Sequence, residues 1–475
     1  MELFMTMDRD LRKNLTRVML STWQYTMTST VVGVLELSSK YRYGLTSRGV
    51  PIYLFRPYDD TLKDYVVGCS HRDTSRNQIA LVTLPAKGNR GTLVRLFGMV
   101  GDPVAEKEAL MQHYCPFRPS TTPEQPSDNK EERQDLDKWV TFHIDPPGCR
   151  DIDDAMAYNP ATGIWAITIA DVASAVAEGS PTDLSAKAIG ATFYDLDGRV
   201  MRPMLPPAIS ESACSLLPGE RRRGLTLFLH PDGTETFGCT WITVANSFTY
   251  DSFKGSIMAG VLGITEDPHI WVEKQMIRYN RAVATKLKEA GVGILRVQAP
   301  SEARWSEIDP GLGAEAASYE AVTDQNQEQI HASLGLYCHA SSPLRRYADL
   351  ANQRVLKAIL AGKIPSLITS VDELNARAKA NRRWGRDLTF LTCVTAGRIH
   401  EIDVIWLESD RVWVPAWRRT IRLRHEEAHD LGYRGRIRIF CDPTRRNWKQ
   451  RVLTQELEKV SEPDQTGKTA HCHLT

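Results

Sequence analysis

Residues 139–155 read WVTFHIDPPGCRDIDDA. The first six residues have the composition of a β-strand that ends at Ile144. Four carboxylates follow within ten residues, Asp145, Asp151, Asp153 and Asp154. A loop that holds four like charges is destabilised by its own repulsion unless cations screen it. Asp-Pro at the strand end favours an extended backbone at Asp145, and the Pro-Gly bend turns the chain so that Asp151, Asp153 and Asp154 approach it. An all-oxygen donor set suits Mg²⁺ or Mn²⁺ and not zinc. Two such ions ~3.5–4 Å apart activate a water and steady the leaving oxygen of a phosphodiester. The alternatives are a solvated acidic loop and a structural Ca²⁺ site. An EF-hand is disfavoured, because the D-x-D-x-D-G loop and its twelfth-position Glu are missing.

Outward from this stretch, Trp165–Ala170 and Leu225–Leu229 read as further strands, and Ile270–Ala290 as a helix that stops at Gly291. The expectation is a mixed α+β core over residues 136–394. Near its end stands a second constellation, Ser341-Ser-Pro-Leu-Arg-Arg-Tyr-Ala-Asp-Leu-Ala-Asn352. Ser342 is a good N-cap and Pro343 a good first helical residue. Leu344, Ala348, Ala351, Val355 and Ile359 then form one apolar stripe up to Gly362. This reading puts Arg345 and Arg346 in the first helical turn, where cations meet the positive end of the macrodipole. A bound anion reverses that penalty, so the pattern predicts a phosphate site. The alternative, Arg345 paired with Asp349 on a solvated face, explains one arginine and leaves the other.

The flanks have a different texture. Val31–Leu37, Val50–Phe55, Tyr65–Gly68, Ile79–Leu84 and Thr92–Phe97 are five short strands, which predicts a small barrel over 31–116, of OB or cold-shock type or else SH3-like. Residues 117–135, rich in Pro, Ser, Thr and charge, read as a linker. From 395 to 460 short strands return. Between Arg377 and Arg451 stand eighteen Lys and Arg against nine Asp and Glu, with Trp406, Trp413, Trp417 and Trp448 interspersed. Cations beside exposed rings suit single-stranded nucleic acid. Tryptophans that fill a barrel core are the alternative. Residues 1–30 form an N-terminal segment and 461–475 a flexible tail, whose His471-Cys472-His473 lacks a fourth ligand and a scaffold.

The whole chain of 475 residues is 42% apolar and carries a net charge of +1, so any polyanion site must come from charge segregated along it. No run of residues approaches the ~18–20 apolar residues of a membrane span. Acids in the first ten residues argue against a signal or transit peptide. Nine scattered cysteines without a C-x-x-C pair support neither a disulfide framework nor structural zinc. These features lead to the expectation of a reduced, cytoplasmic or other intracellular setting.

Ile144-Asp-Pro-x-x-x-x-Asp-x-Asp-Asp-Ala resembles the acidic signature of the RNase II/RNB exoribonucleases, and Ser342-Pro-Leu-Arg-Arg-Tyr-Ala-Asp-Leu resembles their second signature. Ile169-Ala-Asp-Val, Met204-Leu-Pro, Cys214-Ser-Leu and Gly291-Val-Gly-Ile-Leu-Arg-Val are also similar to RNB segments. The resemblance implies an α+β RNB catalytic domain flanked by OB-type barrels. It implies a monomeric hydrolase that uses Mg²⁺, or Mn²⁺, to remove nucleoside 5′-monophosphates processively from the 3′ end of single-stranded RNA. Asp145, Asp151, Asp153 and Asp154 would hold the metals and the attacking water, with Asp153 and Asp154 catalytic. Arg345 would grip the scissile phosphate beside Arg346. Tyr194 would stack on the terminal base, and Glu273 and Tyr250 would face the substrate.

The chain departs from the family pattern at four places. It has room for one cold-shock domain, and the segment between Tyr250 and Val272 is short. Arg383-Trp-Gly-Arg386 stands where a Glu is usual, with Gly385 at that place. Thr168 and Gln353 replace histidines. The rival expectation is therefore a weakened RNB-like RNA-binding protein or a subunit of an RNA-degradation assembly.

Overall fold

A computed structural model describes residues 30–121, 131–300, 303–313, 316–323, 329–395, 399–423, 429–442 and 452–458. The N-terminal segment 1–29, the tail with His471–His473, and Trp448 lie outside the described residues. The chain divides into two compact units. One spans 115–385, and the other combines the residues up to 114 with those from 386 on.

In the second of these units the N-terminal strands are β1 (Thr30–Leu35), β2 (Ile52–Pro57), β3 (Tyr65–Gly68), β4 (Gln78–Thr83) and β5 (Arg90–Met99), which close into a barrel of order β1-β2-β3-β5-β4. Its interior holds Leu35, Tyr53, Phe55, Val67 and Val82. Gly33 is dictated by closure: a Cβ there would sit 2.2 Å from the Arg56 carbonyl oxygen. Helix α1 (Pro103–Tyr114) follows, with the Asp102 carboxylate accepting the Ala105 N–H at 2.8 Å.

In the unit 115–385 the main strands are β6 (Gln134–Asp135), β7 (Val140–Ile144), β8 (Asp154–Asn159), β9 (Ile164–Ala170), β12 (Arg221–Leu229), β13 (Glu235–Thr243) and β14 (Asn246–Phe248). They form a seven-stranded sheet of order β14-β7-β8-β9-β12-β13-β6. A small ribbon, β10 (Phe193–Tyr194) and β11 (Val200–Arg202), lies between β9 and β12 in sequence. Phe142, Ile144, Ile169, Leu225 and Leu227 of the sheet share one core with Tyr279, Val283 and Leu287 of helix α2 (Pro268–Ala290) and with Val355 and Leu356 of helix α3 (Tyr347–Leu360). The expected stop at Gly291 is observed, with φ +66.

Thr168 and Gln353, the two positions lacking the family histidine, are structural. Thr168 Oγ1 meets Thr226 Oγ1 at 2.9 Å, and Gln353 donates to the Ala170 carbonyl at 2.8 Å and accepts the Ala173 N–H at 2.9 Å.

The expected linker 117–135 ends earlier than its composition suggested. Residues 134–135 pair with β13, and the Arg133 side chain is buried. Arg133 donates to Asp171 at 2.5 Å, and Lys357 reaches the same carboxylate at 2.8 Å. Charge of this kind in a sequence normally marks a solvated segment, but here a buried acid recruits it.

The C-terminal strands are β15 (Ile399–Glu408), β16 (Arg411–Val414), β17 (Arg419–Arg422), β18 (Arg434–Cys441) and β19 (Val452–Glu458), in an antiparallel sheet of order β17-β16-β15-β18-β19. Trp406, Trp413 and Trp417 are buried, so these rings serve the core and are not stacking platforms. Arg436 pairs with Asp403, Arg438 with Glu401 and Arg422 with Asp410. Among the described residues these three guanidiniums are matched by carboxylates.

Burial pushes the Asp171 carboxylate upward, but Lys357 and Arg133 more than offset it and hold it below the ordinary carboxylate range. Its contribution to stability is therefore present above the unfolded carboxylate pKa and is lost as pH falls through the depressed folded value. Asp171→Ala leaves Arg133 and Lys357 sharing the single partly exposed carboxylate of Glu131, with an expected loss of about 3–5 kcal/mol. Urea unfolding of the full chain, followed through the transition of the 115–385 unit, measures it, and a loss under about 1 kcal/mol would refute this account.

Candidate active site

Strand β7 ends at Ile144, and the Asp145 N–H donates to the Phe248 carbonyl at 3.0 Å, which keeps the chain extended as the Asp-Pro pair requires. The turn then closes through Cys149 N–H to the Pro146 carbonyl at 3.2 Å, with Gly148 at φ +78. Ser215 fixes residues 150–152: its hydroxyl donates to the Arg150 carbonyl at 2.7 Å and accepts the Ile152 N–H at 2.9 Å. Asp154 then enters β8 opposite Ile169. The loop is thus held at both ends by backbone pairing and in the middle by the Ser215 hydroxyl.

The second constellation departs from its sequence reading. Helix α3 begins at Tyr347 with Arg346 as its N-cap in extended conformation, φ −134 and ψ 126. Ser342–Arg345 form a turn in front of it, closed by Arg346 N–H to the Ser342 carbonyl at 3.0 Å. The reason is competition from β-type pairing. Thr192 N–H donates to the Arg345 carbonyl and Tyr347 N–H to the Gly190 carbonyl, both at 2.9 Å, so these residues are taken by the 190–192 strand segment. Arg345 and Arg346 are therefore not in the first helical turn, and the helix macrodipole does not create a phosphate site at them.

Other charges occupy the N–H groups of this turn. Asp153 Oδ1 accepts the Leu344 N–H at 3.0 Å, and its Oδ2 accepts Arg345 Nε at 3.1 Å. Asp349 Oδ1 accepts both the Ser342 N–H and Arg346 Nη2 at 2.8 Å. The Asp349 pairing expected for Arg345 belongs to Arg346. Asp153 is the joint between the two signatures.

All nine residues singled out from the sequence line one cavity of about 1030 Å³: Asp145, Asp151, Asp153, Asp154, Tyr194, Tyr250, Glu273, Arg345 and Arg346. Burial raises Asp153 to about 7 despite the guanidinium of Arg345 and the Leu344 N–H. Burial, then the charges of Asp145 and Asp153, raise Asp154 well above the carboxylate range. Burial would lower the Arg345 guanidinium, but Asp153 more than offsets it and holds it charged. Tyr194 donates to Asp151 Oδ2 at 3.4 Å, and burial and then that carboxylate keep the phenol protonated. Tyr250 is pushed up to about 12 by burial and by Asp145. Its ring stacks on His269 at 3.7 Å. Glu273 is exposed on α2 at the cavity wall.

Among the described residues no three Asp, Glu, His or Cys side chains form a finished metal cage. The donor chemistry nonetheless fits a hard cation: four carboxylates line one space, burial raises two of them, and the one guanidinium bonded there is on Asp153.

Three supporting residues were not singled out from the sequence. His143 Nδ1 lies 2.9 Å from Asp145 Oδ2, Ser215 clamps the loop, and Trp384 Nε1 donates to the Tyr194 carbonyl at 2.6 Å. Trp384 is buried and meets Phe193 edge-on. Only Cys214-Ser-Leu carried a signal, through its resemblance to the family.

The RNB domain model matches residues 133–261 and 245–362, which contain both signatures and every residue of the cavity. The chain belongs to the RNB family. Exoribonuclease 2 of Aeromonas hydrophila is 28% identical over 354 residues, 54% of this chain and 52% of that protein. Ribonuclease R of Helicobacter pylori is 24% identical over 361 residues, 56% of this chain and 54% of that protein. The chain thus matches about half the length of these relatives. In fold it is similar to the apo form of Mycoplasma genitalium RNase R, with TM-score 0.70, 15% identity and 89% of each chain covered. It is also similar to yeast Ssd1, a pseudonuclease, with TM-score 0.64, 16% identity, 88% of this chain and 67% of that chain. The RNB fold therefore accommodates active and inactive members.

Ser215→Ala leaves the Ile152 N–H and the Arg150 carbonyl without their partner. The expected loss is about 1–3 kcal/mol, read as a lowered thermal midpoint. An unchanged midpoint would show that the loop does not depend on this hydroxyl.

Proposed function

We propose that the chain is a metal-dependent 3′→5′ exoribonuclease that degrades single-stranded RNA processively to nucleoside 5′-monophosphates. The observation that carries this reading is the Asp153 joint, which brings the acidic loop and the Arg345-Arg346 turn to one cavity. The relatives named as exoribonucleases support the same reading.

Asp145, Asp151, Asp153 and Asp154 would hold Mg²⁺ or Mn²⁺, which when bound supplies Lewis acidity and a nucleophilic water. The chain's own residues do the rest. Arg345, oriented by Asp153, meets the scissile phosphate through its remaining N–H groups, and Arg346 adds positive charge beside it. The Tyr194 ring stacks on the terminal base, while Trp384 holds its backbone in place. Glu273 accepts hydrogen bonds from the sugar hydroxyls, and Tyr250 offers the ring face that His269 leaves uncovered. Asp153 and Asp154, the two carboxylates that burial raises, are the pair that gains most from the charge of a bound cation.

The second reading, an RNA-binding protein without turnover or a subunit of an RNA-degradation assembly, is favoured by the likeness to a pseudonuclease and by Arg345 occupying one oxygen of Asp153. Incubation of 5′-labelled single-stranded RNA with the chain and Mg²⁺ separates the two. Shortening from the 3′ end that stops in Asp153→Asn and with EDTA is the expected result. RNA that shifts on a gel yet stays full length would overturn the catalytic reading. Arg345→Ala is expected to lower kcat about 10²–10³-fold, while affinity, spread over many phosphates, changes far less. Equal losses in both would remove Arg345 from the scissile phosphate.

A further inference from the structure

Helix α2 turns one face to the cavity, with Glu273, Met276, Ile277 and Asn280 spaced i, i+3, i+4, i+7 along it. The function proposed above uses Glu273 and gives Asn280 no part. Asn280 is buried, and its amide meets the segment 337–341, which leads into the Arg345-Arg346 turn.

The backbone fixes the orientation of that amide. The Ala340 N–H can only donate, and it lies 2.9 Å from Asn280 Oδ1. Asn280 Nδ2 therefore faces the other way, where it donates to the Tyr337 hydroxyl at 2.9 Å and to the Ser341 hydroxyl at 3.1 Å. The segment itself is held in place. Cys338 Sγ donates to the Asn280 carbonyl at 3.2 Å, and the Arg296 N–H donates to the Tyr337 carbonyl at 2.8 Å.

Each hydroxyl is thus an acceptor toward Asn280, and its own proton needs another partner. Among the described residues neither hydroxyl donates to an acceptor, and both side chains line the cavity. Burial pushes the Tyr337 phenol up against the opposing effect of the Asn280 bond, so the phenol keeps its proton. A buried donor left unmatched costs about 1–3 kcal/mol, which a ligand oxygen in the cavity would remove. Ser341 also stands next to Ser342, whose hydroxyl accepts Arg345 Nη2 at 3.0 Å. The pair offers protons without charge, and its complement is an oxygen that only accepts, as the oxygens of a phosphodiester do.

We propose that Tyr337 and Ser341 are RNA contacts that donate hydrogen bonds to the non-bridging oxygens of a backbone phosphate, with Asn280 as the positioning residue that turns both hydroxyls toward it. This contact rests on the proposed RNA substrate, but it requires neither turnover nor a bound metal.

Fluorescence anisotropy of the full chain with a short labelled oligouridylate in EDTA tests it. Tyr337→Phe and Ser341→Ala are each expected to weaken binding about fivefold, with circular dichroism unchanged. Asn280→Asp puts an acceptor where Nδ2 stands and draws both protons back, so it is expected to weaken binding although both hydroxyls remain. Added to the Tyr337→Phe/Ser341→Ala double variant, it is expected to cause no further loss, whereas a merely structural amide would add its own. If Asn280→Asp is unfolded, the two hydroxyl variants decide the contact. The same strand with deoxyribose is expected to weaken by the same factor in those variants, and a loss confined to the ribose strand would overturn the assignment to phosphate. Undiminished binding by both hydroxyl variants would overturn the contact alone. Failure of the unaltered chain to bind the oligouridylate would overturn the proposed function and the contact with it.

Discussion

The geometry of the cavity depends on one carboxylate. Asp153 closes the acidic loop and at the same time accepts Leu344 N–H and Arg345 Nε from a turn almost two hundred residues later in the chain. Neither segment has a regular structure that would place it alone. The loop is clamped through Ser215, and the 342–346 turn is clamped through pairing with 190–192. Asp153 ties the two clamped pieces together. A substitution there removes a charge and also releases the arginine that this charge orients.

Two buried aspartates differ in the charges that surround them. Asp171 has Lys357 and Arg133 on its oxygens, and its charge is held below the ordinary range. Asp153 has one guanidinium, an acidic neighbour in Asp154 and no second cation on its oxygens, and its pKa rises to about 7. Both are equally enclosed, so burial does not separate them. The number of cations bonded to the carboxylate does. A balanced acid stabilises the fold, whereas an acid short of cations costs stability and retains capacity for one more positive charge.

The sequence made some of this legible. The five N-terminal strands, the strand ending at Ile144 and the helix ending at Gly291 could be read from local pattern, and the nine residues singled out in the cavity from two long motifs and from the resemblance to the family. Tertiary competition hid the rest. Ser342-Pro343 has every mark of a helix start, yet pairing with 190–192 takes the first four residues away from the helix. The tryptophans of the basic segment resembled a stacking surface until burial placed three of them in a core. Arg133 belonged to a polar stretch, and only the folded Asp171 shows why it is buried. In each case the deciding partner lies far along the chain.

The same logic applies to the aromatic wall of the cavity. The segment after Tyr250 forms only two short helices, Tyr250–Phe253 and Ile257–Val261, before α2 begins at Pro268. One face of the Tyr250 ring is covered by His269. Tyr194, by contrast, is held from behind: its backbone carbonyl receives Trp384 and its hydroxyl reaches Asp151. A ring fixed at both ends has little conformational entropy left to lose in any further contact. Trp384 stands in the Arg383–Arg386 stretch where the family usually has an acid. That stretch supports the site here through the Trp384 indole, which donates to the Tyr194 backbone carbonyl and so fixes the start of the ring's attachment to the fold.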